Sequence, residues 1–236
     1  MPDAVVITPV KDSLNTVKQT ISSVANSVAN IAYFVFNDFS GQETRNFLEE
    51  AKSKYQFTLI HLEDHTNTPS PNYNLILRMA QKEAIKEKCP LIIIESDVIV
   101  KPDTISELLQ IARLRPDCGI VGAITTDSDG NYNFPYTFEK EKSNKTINTN
   151  HSISFCCTLI EIRFLQAFNF NELSEKKDWY DVFVSRQSKK LGYSNYLAKG
   201  IEVLHLPHSS RPWKNLKYSN PFLYYIKKLL FKRDRI

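Results

Sequence analysis

The sequence predicts an α/β fold: a mostly parallel, Rossmann-like sheet flanked by helices, followed by a smaller mixed region. Three observations point there. Within residues 1–115, runs of branched aliphatics alternate about four times with stretches of helical periodicity, the pattern of βαβ units around a parallel sheet. The most apolar run, Leu91 to Ile94, shows no polar alternation, so helices cover both faces of that strand. That run then stops at two acids, Glu95 and Asp97. On an extended backbone residues two apart leave the same face, so this pair would point one way with Ser96 turned away. At the carboxyl end of a central strand they would sit in the crevice where open α/β sheets bind ligands. Hard cations such as Mg²⁺ or Mn²⁺ take a few carboxylate oxygens and fill their shell with water and substrate phosphates. The pair is therefore a candidate metal site, although the same residues also read as a strand end turning towards Lys101-Pro102-Asp103.

In chain order, Ala4 to Thr8 forms the first buried strand, ending at Pro9. Asp12 or Ser13 caps a helix on which Leu14, Val17, Ile21 and Val24 share a face. Ile31 to Phe36 is the second strand, closed by Asn37-Asp38-Phe39-Ser40-Gly41 and followed by a polar helix from Glu43 to Lys54. Phe57 to Leu62 is the third. Beyond Pro69 and Pro71, residues Asn72 to Lys86 place Ile76, Met79, Ala80 and Ala84 on one helical face. After the acidic strand, Ile105, Leu108, Leu109 and Ala112 mark a helix begun by Pro102 in its first turn.

The second half is less regular. Gly119 to Ile124 and Ile153 to Ile162 read as strands. Between them lies a polar, aromatic-studded segment, Thr125 to Asn150, too long for a simple connection and expected to form a hairpin or flap. Its rings and amides suit a sugar or an ordinary folded loop. An acidic helix start, Asp178-Trp179-Tyr180-Asp181, runs to Gly192, which stops the helix. Gly200 to Leu206 is a last strand carrying His205. Asn220-Pro221 then opens a helix with Phe222, Tyr225, Ile226 and Leu229 on one face and five Lys and Arg between Lys227 and Arg235. Such a helix lies on an anionic membrane surface or docks on the domain or on a second subunit.

Composition excludes several classes. The net charge of +4 comes largely from that tail, so the domain lacks the basic stripe of a nucleic-acid binder. Among 236 residues there are six glycines, with no Gly-x-Gly-x-x-Gly and no P-loop. Cys89, Cys118, Cys156 and Cys157 have no zinc spacing and read as reduced core residues of a cytoplasmic protein. The amino-terminus opens on a strand without a secretion signal. No stretch reaches the roughly 18 apolar residues of a membrane span. The expected organisation is 1–115, a nucleotide-binding half; 116–215, an acceptor and catalytic half; and 216–236, the basic helix.

Four motifs in order carry a resemblance: Thr8-Pro9-Val10-Lys11-Asp12; Val35-Phe36-Asn37-Asp38-x-Ser40; Asn72-Tyr73-Asn74-Leu75-x-Leu77-x-x-Ala80; and Ile94-Glu95-Ser96-Asp97 with Lys101-Pro102-Asp103. Together they resemble glycosyltransferase family 2 enzymes of GT-A fold. The resemblance implies that Thr8, Pro9, Val10 and Asp12 line a nucleotide pocket, that Asp38 contacts the base, and that Asn74 and Arg78 lie near the diphosphate. Ser96 falls in the donor-binding set, and Glu95 and Asp97 correspond to the metal-binding DXD element. From the residues alone, Asp38 could also end a strand in an Asx-turn, and Arg78 reads as a solvated helical charge. Two positions depart from the family: Glu95 stands where Asp is frequent, and Ile76 where Gly is usual. The segment from Asp178 to Gly192-Tyr193 resembles the part of inverting members that holds the catalytic carboxylate, here Asp181 with Asp178 as its rival. His205 resembles the histidine that completes the metal and diphosphate site.

The implied activity is inverting, metal-dependent transfer of a sugar from a UDP-linked donor to a hydroxyl of a growing cell-surface glycan or lipid-linked acceptor. A nucleotide-sugar-binding module without activity is the rival from another class. A nucleotidyltransferase would need a glycine-rich loop after the first strand, which Pro9-Val10-Lys11-Asp12 lacks.

Overall fold

The computed structural model describes residues 1–174 and 179–206, with Leu223 and Ile226 in addition. The expected basic helix, 216–236, therefore lies outside the described residues apart from those two. Residues Met1–Leu206 pack as one unit.

The elements run β1 (Ala4–Val10), α1 (Leu14–Ala25), β2 (Ile31–Asn37), α2 (Gln42–Tyr55), β3 (Thr58–His61), α3 (Tyr73–Glu87), β4 (Leu91–Ile94), β5 (Val98–Ile99), α4 (Thr104–Arg113), β6 (Cys118–Thr126), β7 (Thr146–Asn148), β8 (Cys157–Ile160), α5 (Ile162–Ala167), α6 (Tyr180–Lys190) and β9 (Ser194–His205). Among the described residues nine strands form one sheet, in the order β3-β2-β1-β4-β8-β6-β9-β5, with β7 paired to β9. The β3-β2-β1-β4 part is parallel throughout. Beyond β4 the sheet becomes mixed, because β8 enters antiparallel to both β4 and β6, while β6 and β9 run parallel.

The unbroken apolar strands are explained by two cores. On one face Ala4 and Val6 of β1 and Ile92 and Ile94 of β4 pack with α1, α2 and α4 through Val17, Ile21, Leu48, Ile105 and Leu108. On the other, Val5, Ile7, Leu91 and Ile93 meet α3, α5 and α6 through Ile76, Leu77, Ala80, Phe164 and Val184. Successive strand residues face opposite ways, so a strand covered on both sides has no place for a polar alternate.

Several local expectations are corrected. Neither Asp12 nor Ser13 caps α1 with its side chain. Pro102 lies before α4, which starts at Thr104. The strand expected at Gly200 begins earlier, at Ser194. The 125–150 segment opens on a tight hairpin turn, in which Thr126 bridges Tyr132; beyond it the Tyr136 ring is buried and Thr146–Asn148 pair with β9.

The path of β9 positions the site. Ala123 and Ile124 are consecutive in β6 but pair with Ala198 and Glu202, so Lys199, Gly200 and Ile201 bulge out of β9. A bulge bends its strand, and here the bulge carries the Lys199–Glu139 ion pair (2.8 Å). Past it, β9 pairs antiparallel with the short β5, setting His205 opposite Val98. Since β5 follows β4 through residues 95–97, the sheet curls back on itself at that turn.

Gly119 shows how closely the second half is packed. A Cβ there would lie 2.2 Å from Ser188 Oγ and 2.7 Å from Tyr193 Cβ. Gly119→Ala is expected to destabilise the protein by about 1–3 kcal/mol, the usual cost of overpacking, read as a lower urea midpoint. An unchanged midpoint would show that α6 shifts freely.

Candidate active site

The parallel strands end along one edge, and Asp12, Asp38, Glu95, Ser96 and Asp97 fall on the loops there. After β1 and β2 the backbone takes left-handed conformations at non-glycine positions: Asp12 (φ 54°), Ser13 (φ 58°) and Phe39 (φ 56°). Such strain persists only where neighbours enforce it, and here the two loops enforce it on each other. The Asp12 amide donates to Ser40 Oγ (3.0 Å), the Gly41 amide donates to Asp12 Oδ1 (2.7 Å), and Lys11 Nζ reaches the Phe39 carbonyl. Asp12 thus ties the first loop to the start of α2. Pro9 and Val10 form the end of β1, and the Val10 carbonyl accepts from the Asp38 amide (2.8 Å). Thr8 differs. It is fully buried and its hydroxyl bonds Tyr33 (2.9 Å), so its side chain belongs to the core and not to the open edge.

Asp38 is buried and accepts three hydrogen bonds of 2.8 Å, from Ser70 Oγ, the Asn72 amide and Asn72 Nδ2. The Asx-type contact in this loop is made by Asn37, whose Oδ1 accepts from the Ser40 amide (3.2 Å). Asp38 therefore clasps the 70–72 segment, at the start of α3, to the end of β2. Hydrogen bonds to a charged acceptor contribute roughly 1.5–3 kcal/mol each. Asp38→Asn turns an NH₂ onto one of those donors, and is expected to lower the thermal midpoint while weakening UDP, CDP and GDP binding together. Loss of discrimination among the three bases at an unchanged midpoint would contradict the clasp.

On α3, Asn74 is buried and its Nδ2 donates to the Leu173 carbonyl (3.0 Å). Arg78, one turn on, lines a groove of about 570 Å³ with Leu75, Met79, Lys82, Leu165 and Asn169. Neither Glu95, Asp97, Asp181 nor His205 lines that groove.

The carboxylates themselves sit where β4 meets β5. The extended geometry expected for Glu95 and Asp97 is corrected: β4 ends at Ile94, and the Val98 amide donates back to the Glu95 carbonyl (3.1 Å), closing a turn with Ser96 buried inside. Asp97 is 1% exposed. Its Oδ2 lies 3.5 Å from His205 Nε2, and its carbonyl accepts from the Leu206 amide (2.8 Å). His205 Nδ1 is 2.7 Å from the Phe134 carbonyl. Burial works against a charged His205 ring, but the Asp97 carboxylate, the Phe134 carbonyl and the Glu95 charge outweigh it and raise its pKa above the ordinary value.

Cys156 packs beside this cluster. Antiparallel β8 places it beside the turn, where the Glu95 amide donates to the Cys156 carbonyl (3.0 Å) and Cys156 Sγ lies 3.7 Å from Glu95 Oε2. Burial holds the Cys156 thiol well above its ordinary pKa, and the charges of Glu95, Asp97 and Asp181 add to that. Asp181 is in the first turn of α6, partly exposed, with Oδ1 accepting from the Val182 amide (2.8 Å). Its neighbour Tyr180 stacks on Tyr73 (centroids 6.2 Å, 9°), and Tyr73 stacks on Phe155 (6.3 Å, 15°). This stack joins the start of α6 to the start of α3. Asp178 lies outside the described residues.

The sequence places Asn133 and Phe134 in the segment that suits a sugar or a folded loop and Cys156 in the core, and none of the three beside the carboxylates. They reach the cluster through antiparallel pairings and a hairpin, for which the sequence offers no local signal. The four cysteines are free and buried, as expected. Among the described residues no three His, Cys, Asp or Glu side chains form a ready cage for a metal ion.

A curled α/β sheet with helices on both faces and acids at the end of its central strand is the GT-A architecture of a glycosyltransferase. A mannosyltransferase from Pyrobaculum calidifontis, in complex with GDP-Man and Mn²⁺, has a TM-score of 0.67 at 11% identity, over 100% of this chain and 65% of its own. TarS from S. aureus, residues 1–349, has a TM-score of 0.64 at 14% identity, over 96% of this chain and 65% of its own. GalNAc-T7 with UDP, GalNAc and Mn²⁺ has a TM-score of 0.65 at 12% identity, over 89% of this chain and 45% of its own. This chain thus spans about two thirds or less of these proteins. No curated protein sequence matches it. Residues 5–168 match the family described as Glycosyl transferase family 2, and the chain belongs to that family.

Proposed function

We propose that this glycosyltransferase is an inverting, metal-dependent enzyme that moves a sugar from a nucleoside-diphosphate donor, UDP-linked, to a hydroxyl of a cell-surface glycan. The observation that supports the reading is the meeting of Asp97 and His205, with Glu95 on the same turn, at the end of β4. Neighbours of the same fold hold Mn²⁺ with GDP-Man or with UDP and GalNAc. The donor set here suits such an ion: a buried carboxylate facing an imidazole nitrogen 3.5 Å away, with Glu95 on the same turn. Mn²⁺ and Mg²⁺ are held in this manner by one or two protein groups plus substrate phosphates, without a full protein cage.

In this reading Asp97 and His205, assisted by Glu95, hold the cation, which when bound would neutralise charge growing on the departing diphosphate. The strained loops at Asp12 and Phe39 and the segment clasped by Asp38 form the nucleotide end, with Pro9, Val10, Ser96 and Asn74 around it. Asp181 stands across the site as the general base. It takes the proton from the acceptor hydroxyl as that oxygen attacks the anomeric carbon opposite the diphosphate. The aromatic stack of Tyr73, Tyr180 and Phe155 keeps the start of α6 in register with the start of α3, so donor and base hold a fixed separation.

The same reading puts the enzyme in the cytoplasm at the inner face of a membrane, drawn there by the basic segment 220–236. Incubation with UDP-, GDP- and CDP-sugars in Mn²⁺ tests the activity: release of one nucleoside diphosphate, with a product of inverted anomeric configuration by NMR, is expected. Binding of UDP with no release from any donor would leave a binding module. A product of retained configuration would remove Asp181 as the base.

A further inference from the structure

The expected acceptor hairpin is physically attached to the metal-ligand candidate. β6 ends at Thr126, the chain turns through Asp127–Gly130, and the return strand is fastened at Asn133, whose amide donates to the Thr125 carbonyl (3.1 Å). Thr125 is fully buried, and its hydroxyl donates to both the Asn133 (3.2 Å) and the Phe134 carbonyls (3.1 Å). From this fixed point two contacts hold His205, one at its backbone and one at its ring. Asn133 Nδ2 donates to the His205 carbonyl (3.0 Å), and the Phe134 carbonyl faces His205 Nδ1 (2.7 Å). The Phe134 ring also lies against the imidazole (centroids 6.4 Å) while remaining 52% exposed.

A carbonyl can only accept, so the nitrogen facing it must carry the proton. The Asp97 carboxylate facing Nε2 is also an acceptor, but it lies 3.5 Å away against 2.7 Å for the Phe134 carbonyl, so the neutral His205 ring keeps its proton on Nδ1 and its lone pair on Nε2. Hydrogen bonds of this kind to the distal nitrogen orient metal-binding histidines generally. We propose that Asn133 and Phe134 are the positioning residues of His205, which makes the hairpin part of the cation site and not an acceptor loop alone. This rests on the cation reading above, but the brace exists without the cation and can be tested without it.

The test uses ¹⁵N-labelled full-length protein free of metal, at a pH where the His205 imidazole is neutral. Long-range ¹H–¹⁵N correlations of the ring are expected to show a protonated Nδ1 and a pyridine-like Nε2. In parallel, Mn²⁺ is titrated into wild type and Asn133→Ala in the presence of UDP and followed by EPR. Asn133→Ala is expected to bind Mn²⁺ about tenfold more weakly, the lower end of what loss of such outer partners costs, with UDP affinity in EDTA unchanged. A protonated Nε2 in the wild type, or the same Mn²⁺ affinity in Asn133→Ala, overturns the brace. Wild type that binds no Mn²⁺ while showing the expected tautomer would instead sink the cation reading and leave the brace standing. Should Asn133→Ala fail to fold, the wild-type tautomer decides.

Discussion

Asp97→Asn is expected to lower turnover about a thousandfold or more and to remove the Mn²⁺ dependence of nucleotide binding. The side chain is 2% exposed, and its Oδ2 lies 3.5 Å from His205 Nε2. A bound cation contributes several kcal/mol to a transition state in which negative charge grows on a leaving group, and about 4 kcal/mol corresponds to a factor of a thousand. Glu95→Gln should cost less, because Glu95 is one methylene longer and already engaged by Cys156 Sγ at 3.7 Å. Asparagine keeps the shape of Asp97, so folding is the control: the thermal midpoint measured in EDTA should move little. Near-wild-type turnover in Asp97→Asn would leave the end of β4 without a catalytic role.

Asp181→Asn should lower kcat by about 10²–10⁴, the usual contribution of a positioned base, while leaving Mn²⁺ affinity and donor KM near their wild-type values. The variant separates catalysis from structure, since asparagine also accepts a backbone hydrogen bond of the kind Asp181 Oδ1 takes from the Val182 amide. A loss confined to kcat reports an interaction made only in the transition state. The pH dependence sharpens the test: the acidic limb of kcat, set by protonation of the base, should be present in wild type and absent in Asp181→Asn. Asp178→Asn, made alongside, should retain most activity. If the effects of the two variants were exchanged, Asp178 would be the base.

The parallel half of the fold was legible because each strand is short, apolar and followed by a helix whose periodicity can be read within a dozen residues. The second half was not, and the reason is specific. Cys157 pairs with Ile94, Val98 with His205, and Asn148 with Tyr196, so the strands that close the sheet match residues far apart in sequence. Their partners are set by the core and leave no local mark. The carboxylates could be named from their place after a buried run, but their geometry could not. Whether Glu95 and Asp97 lie on a strand or in a turn depends on Val98 being drawn to β9, an event more than a hundred residues away in the chain. The Thr8 hydroxyl was assigned to the pocket because its motif is linear. The structure buries it against Tyr33, which belongs to the neighbouring strand.

The most direct measurement of the convergence is calorimetric titration of UDP into wild type, Asp97→Asn and His205→Ala, each with Mn²⁺ and with EDTA. If Asp97 and His205 hold one cation against the diphosphate, Mn²⁺ tightens UDP binding at least tenfold in the wild type and hardly at all in either variant, and all three share the same affinity in EDTA. Equal UDP affinity in wild type with and without Mn²⁺ would contradict it.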